Sequence, residues 1–134
     1  MAQEDVSRIA FTNIRRRQLL ERLAAVRADI TRELRKYDSE QYNELAGTVS
    51  DSGDQSVADL LVDIDLAEID RDVGELRDIE AALLRIAQGS YGTCIDCEAE
   101  IPRERLEVTP SAIRCIPCQD HVDRRDREEK HRTL

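Results

Sequence analysis

Cys94-Ile-Asp-Cys97 and Cys115-Ile-Pro-Cys118 hold every cysteine of this chain, as two C-x2-C pairs separated by seventeen residues. Each pair can set two thiolates on one edge of a divalent ion, and the spacer lets the chain fold back to complete a tetrahedron. One structural Zn2+ held by Cys94, Cys97, Cys115 and Cys118 is the chemistry this spacing favours. Zinc suits four soft sulfur ligands, and a site with all four positions filled leaves none for substrate or water. Two disulfides, a redox-active dithiol pair or an iron site with rubredoxin-like ligation are the competing uses of the same four residues. In a reducing compartment paired cysteines more often bind metal than each other.

A second candidate is the acidic pair Asp51 and Asp54 in Gly47-Thr-Val-Ser-Asp-Ser-Gly53-Asp54. One reading makes Asp51 the N-cap of a following helix, with Asp54 in its first turn near the positive end of the helix dipole. The other holds the two carboxylates at the end of a stalk, within reach of a partner's metal ion or basic groups. A capped turn is a rigid platform, so both can hold together. No Gly-rich phosphate loop appears, the serines and threonines lack a His/Asp partner pattern, and His121 and His131 read as surface residues of a charged tail. Nothing in the sequence argues for an enzyme.

The elements that would position these residues are mainly helical. Leu19, Leu23, Val26, Ile30, Leu34, Tyr37 and Leu45 recur at steps of three and four within a stretch free of proline and glycine, which predicts a helix over about 6–46. Residues 47–53 carry turn formers and are expected to be a tip loop. A second stripe of Val57, Leu61, Ile64, Leu66, Ile69, Val73, Leu76, Leu83 and Ile86 predicts a helix over about 54–88, with Glu80 at a position where an apolar residue would be expected. Gly89 is placed to cap its end. Two such helices joined by a short turn must run antiparallel.

The expected fold is therefore mainly α. A long antiparallel helical hairpin, a coiled coil over 1–89, stands on a small C4 zinc-finger base with a C-terminal helix over 90–134. Tyr91, Ile95, Ile101, Leu106, Val108 and Ile113 are the candidates for a small apolar cluster beneath the metal. The tail after Gln119 reads as a short polar helix whose one apolar residue is Val122.

Composition agrees with thin stripes in place of a broad core: aromatics are 3% and charged residues 37% of the 134 residues. The net charge of −9 is unevenly spread, with fourteen Asp/Glu against Arg71 and Arg77 between Asp38 and Glu80, and nine basic residues against three acidic ones between Arg8 and Lys36. An acidic centre repels phosphate backbones and favours basic surfaces or cations, which argues against direct DNA binding. No window approaches the ~18 apolar residues of a membrane span. The start lacks a basic segment followed by an apolar one, so no membrane association and a cytoplasmic location are expected.

Three segments together carry a resemblance: Gly89-Ser-Tyr-Gly-Thr-Cys-Ile-Asp-Cys97, Ile101-Pro-Arg-Glu-Arg-Leu106, and Pro110-Ser-Ala-Ile-Arg-Cys-Ile-Pro-Cys-Gln119. With Asp51-Ser-Gly-Asp54 upstream they resemble the DksA/TraR family of C4 zinc-finger transcription regulators, closely over about 50–119 and by pattern in the first helix. The resemblance implies a protein that binds bacterial RNA polymerase and not DNA, and that inserts its hairpin into the secondary channel to modulate initiation. It makes Asp51 and Asp54 the effector acids, and Arg71 and Arg105 polymerase contacts. Ser56 stands where the family has alanine, and Glu98 where it has glycine after the second cysteine. Asp78 and Gln119 stand where basic side chains bind the alarmone ppGpp in some members, which makes ppGpp potentiation doubtful. A monomer is expected, because the hairpin can satisfy its own seam. The alternative from a different class is a zinc-stabilised coiled-coil adaptor whose acids are silent.

Overall fold

Five helices and one short 3-10 turn carry the architecture in a computed structural model that describes residues 2–53 and 55–132. Helix α1, Ala2–Arg35, is followed by α2, Glu40–Asp51, and a 3-10 helix, Ala58–Leu61. Then come α3, Ala67–Gln88, the short α4, Arg103–Val108, and α5, Ile116–Arg132. Among the described residues no strand forms, and Thr93 and Glu100 make an isolated antiparallel bridge.

The expected mainly helical fold is present, but the first helix is not continuous over 6–46. It stops at Arg35, and the chain reverses through Lys36–Ser39. Ser39 has extended backbone angles and its hydroxyl accepts from the Tyr42 N–H, so it is the N-cap of α2. The rings of Tyr37 and Tyr42 meet edge to face at 5.6 Å across this corner. Residues 47–51, expected in a tip loop, complete α2 instead, and Gly47 is accommodated inside it. Thr48 Oγ1 donates to the Glu44 carbonyl and Ser52 Oγ to the Thr48 carbonyl, so both hydroxyls serve the helix they were expected to end.

The second helix is likewise shorter than 54–88. Its first part is the 3-10 helix and an irregular stretch, and α3 begins at Ala67, with Leu66 as a cap that offers no side-chain bond. At the other end Gly89, at φ +79°, closes α3 by returning its N–H to Ile86, while the Ser90 N–H reaches Arg85. That is the glycine cap the sequence anticipates.

Helix α1 packs against both α2 and α3, and the 3-10 helix packs on α3. One apolar seam runs through all of them. Leu19, Leu23, Val26, Ile30 and Leu34 of α1 meet Ala46 and Val49 of α2, Val57, Ala58 and Leu61, and Ile69, Leu76, Ile79 and Ala82 of α3. Leu19, Leu23, Val26, Ile30, Leu34, Val57, Leu61, Ile69 and Leu76 of the predicted stripes are buried, the other stripe residues only partly so, and Ile79 and Ala82, outside the predicted stripe, join the seam. The seam lies in a three-layered shaft in which the segment 40–61 lies back along the α1–α3 pair, rather than in one extended hairpin.

Candidate functional site

The metal module is built from tight local hydrogen bonds. The Cys94 N–H donates to Ala99 O at 2.8 Å and Glu98 N–H to Cys94 O at 3.0 Å, which curls the first C-x2-C pair around its own sulfurs. Glu98 takes φ +63°, the left-handed conformation that favours glycine. Glu98, standing where the family has glycine, therefore keeps the left-handed turn at the cost of some backbone strain. On the second pair Gln119 N–H donates to Cys115 O at 2.9 Å as α5 begins, and Ile95 N–H to Ile113 O at 3.0 Å joins the two pairs.

The four sulfurs lie within 4.8 Å of one another, and Cys97 Sγ and Cys115 Sγ are 3.7 Å apart. A tetrahedral ion with Zn–S bonds of about 2.3 Å needs sulfurs separated by about 3.8 Å, so the site fits zinc. None of the four is paired in a disulfide. The Cys94 thiol is drawn down to about 6, chiefly by the backbone N–H of Cys97. The Cys118 thiol is pushed up to about 12, chiefly by its hydrogen bond with Cys115. Sulfurs this close cannot all ionise unless a cation shares their charge. The chemistry of the donor set is that of one structural Zn2+ with no open position for substrate.

Under the sulfurs lies a small apolar cluster of Cys94, Ile101, Leu106 and Ala112, joined by Phe11 and Tyr91. Tyr91 donates to Pro110 O at 2.7 Å, and burial pushes its hydroxyl up to about 12. Of the residues expected here, Ile95 is 41% exposed and Val108 is 84% exposed. Their place is filled from outside the module. Phe11 of α1 sits between the guanidinium groups of Arg15 and Arg103, 4.7 and 5.1 Å from its ring centre. Phe11 is the one phenylalanine in the chain and lies away from the α1 stripe, a signal that could have marked it as an anchor.

The remaining candidate residues are not gathered with the sulfurs. Asp51 is the exposed last residue of α2, at a helix C-terminus, and so is not the N-cap of a following helix. Asp54 lies outside the described residues. Arg71 is exposed on α3 in a shallow groove among Asp70, Asp72, Glu75 and Asp78. Arg105 is half-buried on α4 and donates through Nε to Arg114 O at 2.9 Å, which ties α4 to the segment before Cys115. Gln119 on α5 donates to Asp123. His121 and His131 are exposed on α5. No described helix is long and apolar enough to cross a membrane.

Residues 89–124 match the model of the prokaryotic dksA/traR C4-type zinc finger. General stress protein 16O of Bacillus subtilis is 30% identical over 122 residues, which span 86% of this chain and 72% of that protein. The chain belongs to the DksA/TraR family. The RNA polymerase-binding transcription factor DksA of Caulobacter vibrioides is 29% identical over 113 residues, spanning 80% of this chain and 75% of that one. Among solved structures, transcription factor DksA2 from Pseudomonas aeruginosa shares the fold at a TM-score of 0.55, with 24% identity over 88% of this chain and 87% of that one. Membership fits the site: the matched segment contains all four cysteines.

Proposed function

We propose that this chain is a non-enzymatic regulator of transcription initiation that binds bacterial RNA polymerase in the cytoplasm, as a monomer and without direct DNA contact. The observation that carries the reading is the likeness, over 80% of the chain, to a DksA whose name states that it binds RNA polymerase. A zinc-clamped base supporting a narrow acidic helical shaft is a shape that can enter a channel, and charge complementarity would steer it to basic walls. Asp51 and Asp54 are the effector acids in this reading, acting at the secondary channel on the metal-centred active site. Arg71 is the candidate contact on the shaft. Arg105, committed to Arg114 O, contacts polymerase with the part of its guanidinium left free. The carboxylate of Asp78 and the amide of Gln119, in place of basic side chains, leave ppGpp potentiation doubtful in this reading.

A pull-down with core polymerase, followed by open-complex lifetimes on a promoter, tests this. Asp51→Asn with Asp54→Asn is expected to hold affinity within roughly a few-fold while abolishing the change in lifetime. Full activity of the double variant would eliminate the acids as effectors, and failure of the parent chain to bind polymerase would eliminate the reading. An adaptor for some other protein is favoured by one observation, the exposed Val6, Ile9 and Ile14 along the start of α1. Such an adaptor would leave polymerase in the unbound fraction.

A further inference from the structure

Both interruptions of the long stripes lie at the same end of the shaft. Arg22 pairs with Glu75 and Phe11 shares a cluster with Tyr91, so α1 and the chain through α3 run antiparallel, and the corner at residues 36–39 and the approach to α3 at 62–66 fall together at one end. The segment between them, 40–61, turns at Gly53 with φ +57°, its α2 lying on α1 and its 3-10 helix on α3. No proline interrupts residues 6–66, and the apolar period runs through the first break as Leu34, Tyr37 and Leu45 and, with one slip between Ile64 and Leu66, through the second as Leu61, Ile64, Leu66 and Ile69. One stripe thus serves two arrangements, folded back against the shaft or continued into two long helices.

The folded-back arrangement is held by two polar clasps. The Arg27 guanidinium donates to the carbonyl oxygens of Gly53 and Gln55, satisfying acceptors that follow α2. The Glu80 carboxylate accepts from the Val57 and Ala58 N–H groups at 2.9 and 3.3 Å, at the start of the 3-10 helix. Glu80 is the acidic interruption in an otherwise apolar stripe, and this contact gives it a role.

The clasped state also carries defects. Arg27 Nε and Thr31 Oγ1 are buried without a hydrogen-bond partner, which costs free energy. An open cleft of about 550 Å3, lined on α1 by Ala28, Thr31 and Arg35, borders Ser50 of α2.

We infer that residues 40–61 form a hinged arm, clasped by Arg27 and Glu80 in this structure, that swings out about 36–39 and 62–66 by completing two continuous helices. Swinging carries Asp51 from beside the shaft to its far end and lengthens the first helix from about 50 Å to about 75 Å at 1.5 Å per residue. The swing itself depends on no partner. Its consequence, that the acids reach a channel interior only when the arm is out, rests on the polymerase reading above.

The test is pulsed electron paramagnetic resonance on the isolated zinc-loaded chain. Spin labels are carried by unnatural amino acids at the exposed positions Gln18 and Ser50, which spares the cysteines. The clasped arm puts the labels roughly 20 Å apart, and the extended arm, with 32 helical residues between them, about 48 Å apart. The parent should show the short distance as its main population. Glu80→Leu removes a clasp and restores the apolar stripe. Asp38→Ala with Ser39→Ala removes the α2 cap without touching the seam. Each should raise the ratio of long to short distance by roughly fivefold or more. A short distance unchanged in both variants, or a parent with the long distance alone, overturns the inference. Should Glu80→Leu lose helicity, the capping variant decides. An arm that never opens while the chain still captures polymerase would reject the hinge and leave the polymerase reading standing. An opening arm on a chain that ignores polymerase would do the reverse.

Discussion

The sulfur module and the helical shaft reach order by opposite routes. In the module, bonds between residues a few positions apart curl each C-x2-C pair, and one ion joins the halves; its buried cluster has four residues, with help from Phe11. In the shaft, order comes from a seam of fourteen buried side chains that runs from Leu19 to Ala82. A local, ligand-held structure has one solution. A seam of aliphatics is less constrained, because periodicity fixes the apolar face and not what covers it. The contrast teaches where rigidity and where adjustability reside in this chain.

The largest effect expected is on the module. Chelation, or Cys115→Ser, should release zinc and disorder residues 90–118, since structural zinc in such peptides contributes apparent free energies of about 10–16 kcal/mol. Near-ultraviolet signal from Tyr91 should be lost while most helical ellipticity, which comes from α1–α3, survives. Unchanged melting after zinc removal would erase the contrast. Next is the shaft: Ile30→Ala or Leu76→Ala, at fully buried positions, should destabilise by about 2–5 kcal/mol in urea unfolding. Zinc stoichiometry should remain one per chain. Equal loss of zinc in these variants would show that the two regions fold as one.

Smaller changes sharpen the comparison. Tyr91→Phe leaves the Pro110 carbonyl without its donor and should cost about 1 kcal/mol of module stability, read as faster zinc release to a chelator. Glu98→Gly relieves a left-handed backbone and should stabilise the module by about 1 kcal/mol. A loss on this change would mean that the Glu98 side chain matters more than its φ.

The smallest effect concerns the exposed pair on the shaft, where Arg22 contacts both carboxylate oxygens of Glu75 at 2.5 and 2.8 Å. The Arg22 hydrogen bond holds the Glu75 carboxyl below its ordinary value. Its contribution is therefore present at neutral pH and lost as pH falls through that lowered value. Arg22→Gln should shift the acid limb of the melting-temperature profile slightly, and salt should shrink the difference.

Legibility in the sequence followed the same division. The four ligands, their closeness and the Gly89 cap could be read directly, because spacing and backbone preference act within a few residues. Helix existence and the buried face of each stripe were legible too: Val26, Ile30, Leu34, Ile69 and Leu76 are all buried. The reversal at 36–39 was not. Periodicity states which face of a helix is apolar and is silent on which partner covers it, so a stripe continued through Leu45 looked the same whether α2 ran onward or back. Glu80 was the visible anomaly. Its meaning needed the Val57 and Ala58 N–H groups, which lie more than twenty positions away. Phe11 was passed over because it stands off the stripe, although a lone phenylalanine in so charged a chain marks an anchor.

That ring has one more consequence. Phe11, gripped between a guanidinium from its own helix and one from α4, is where the long lever meets its pedestal. A rotation of about five degrees at such a pivot moves the far end of α1, about 36 Å away, by about 3 Å. Under the proposed reading, the placement of Asp51 is therefore set in part near residue 11, far along the chain from the carboxylate itself.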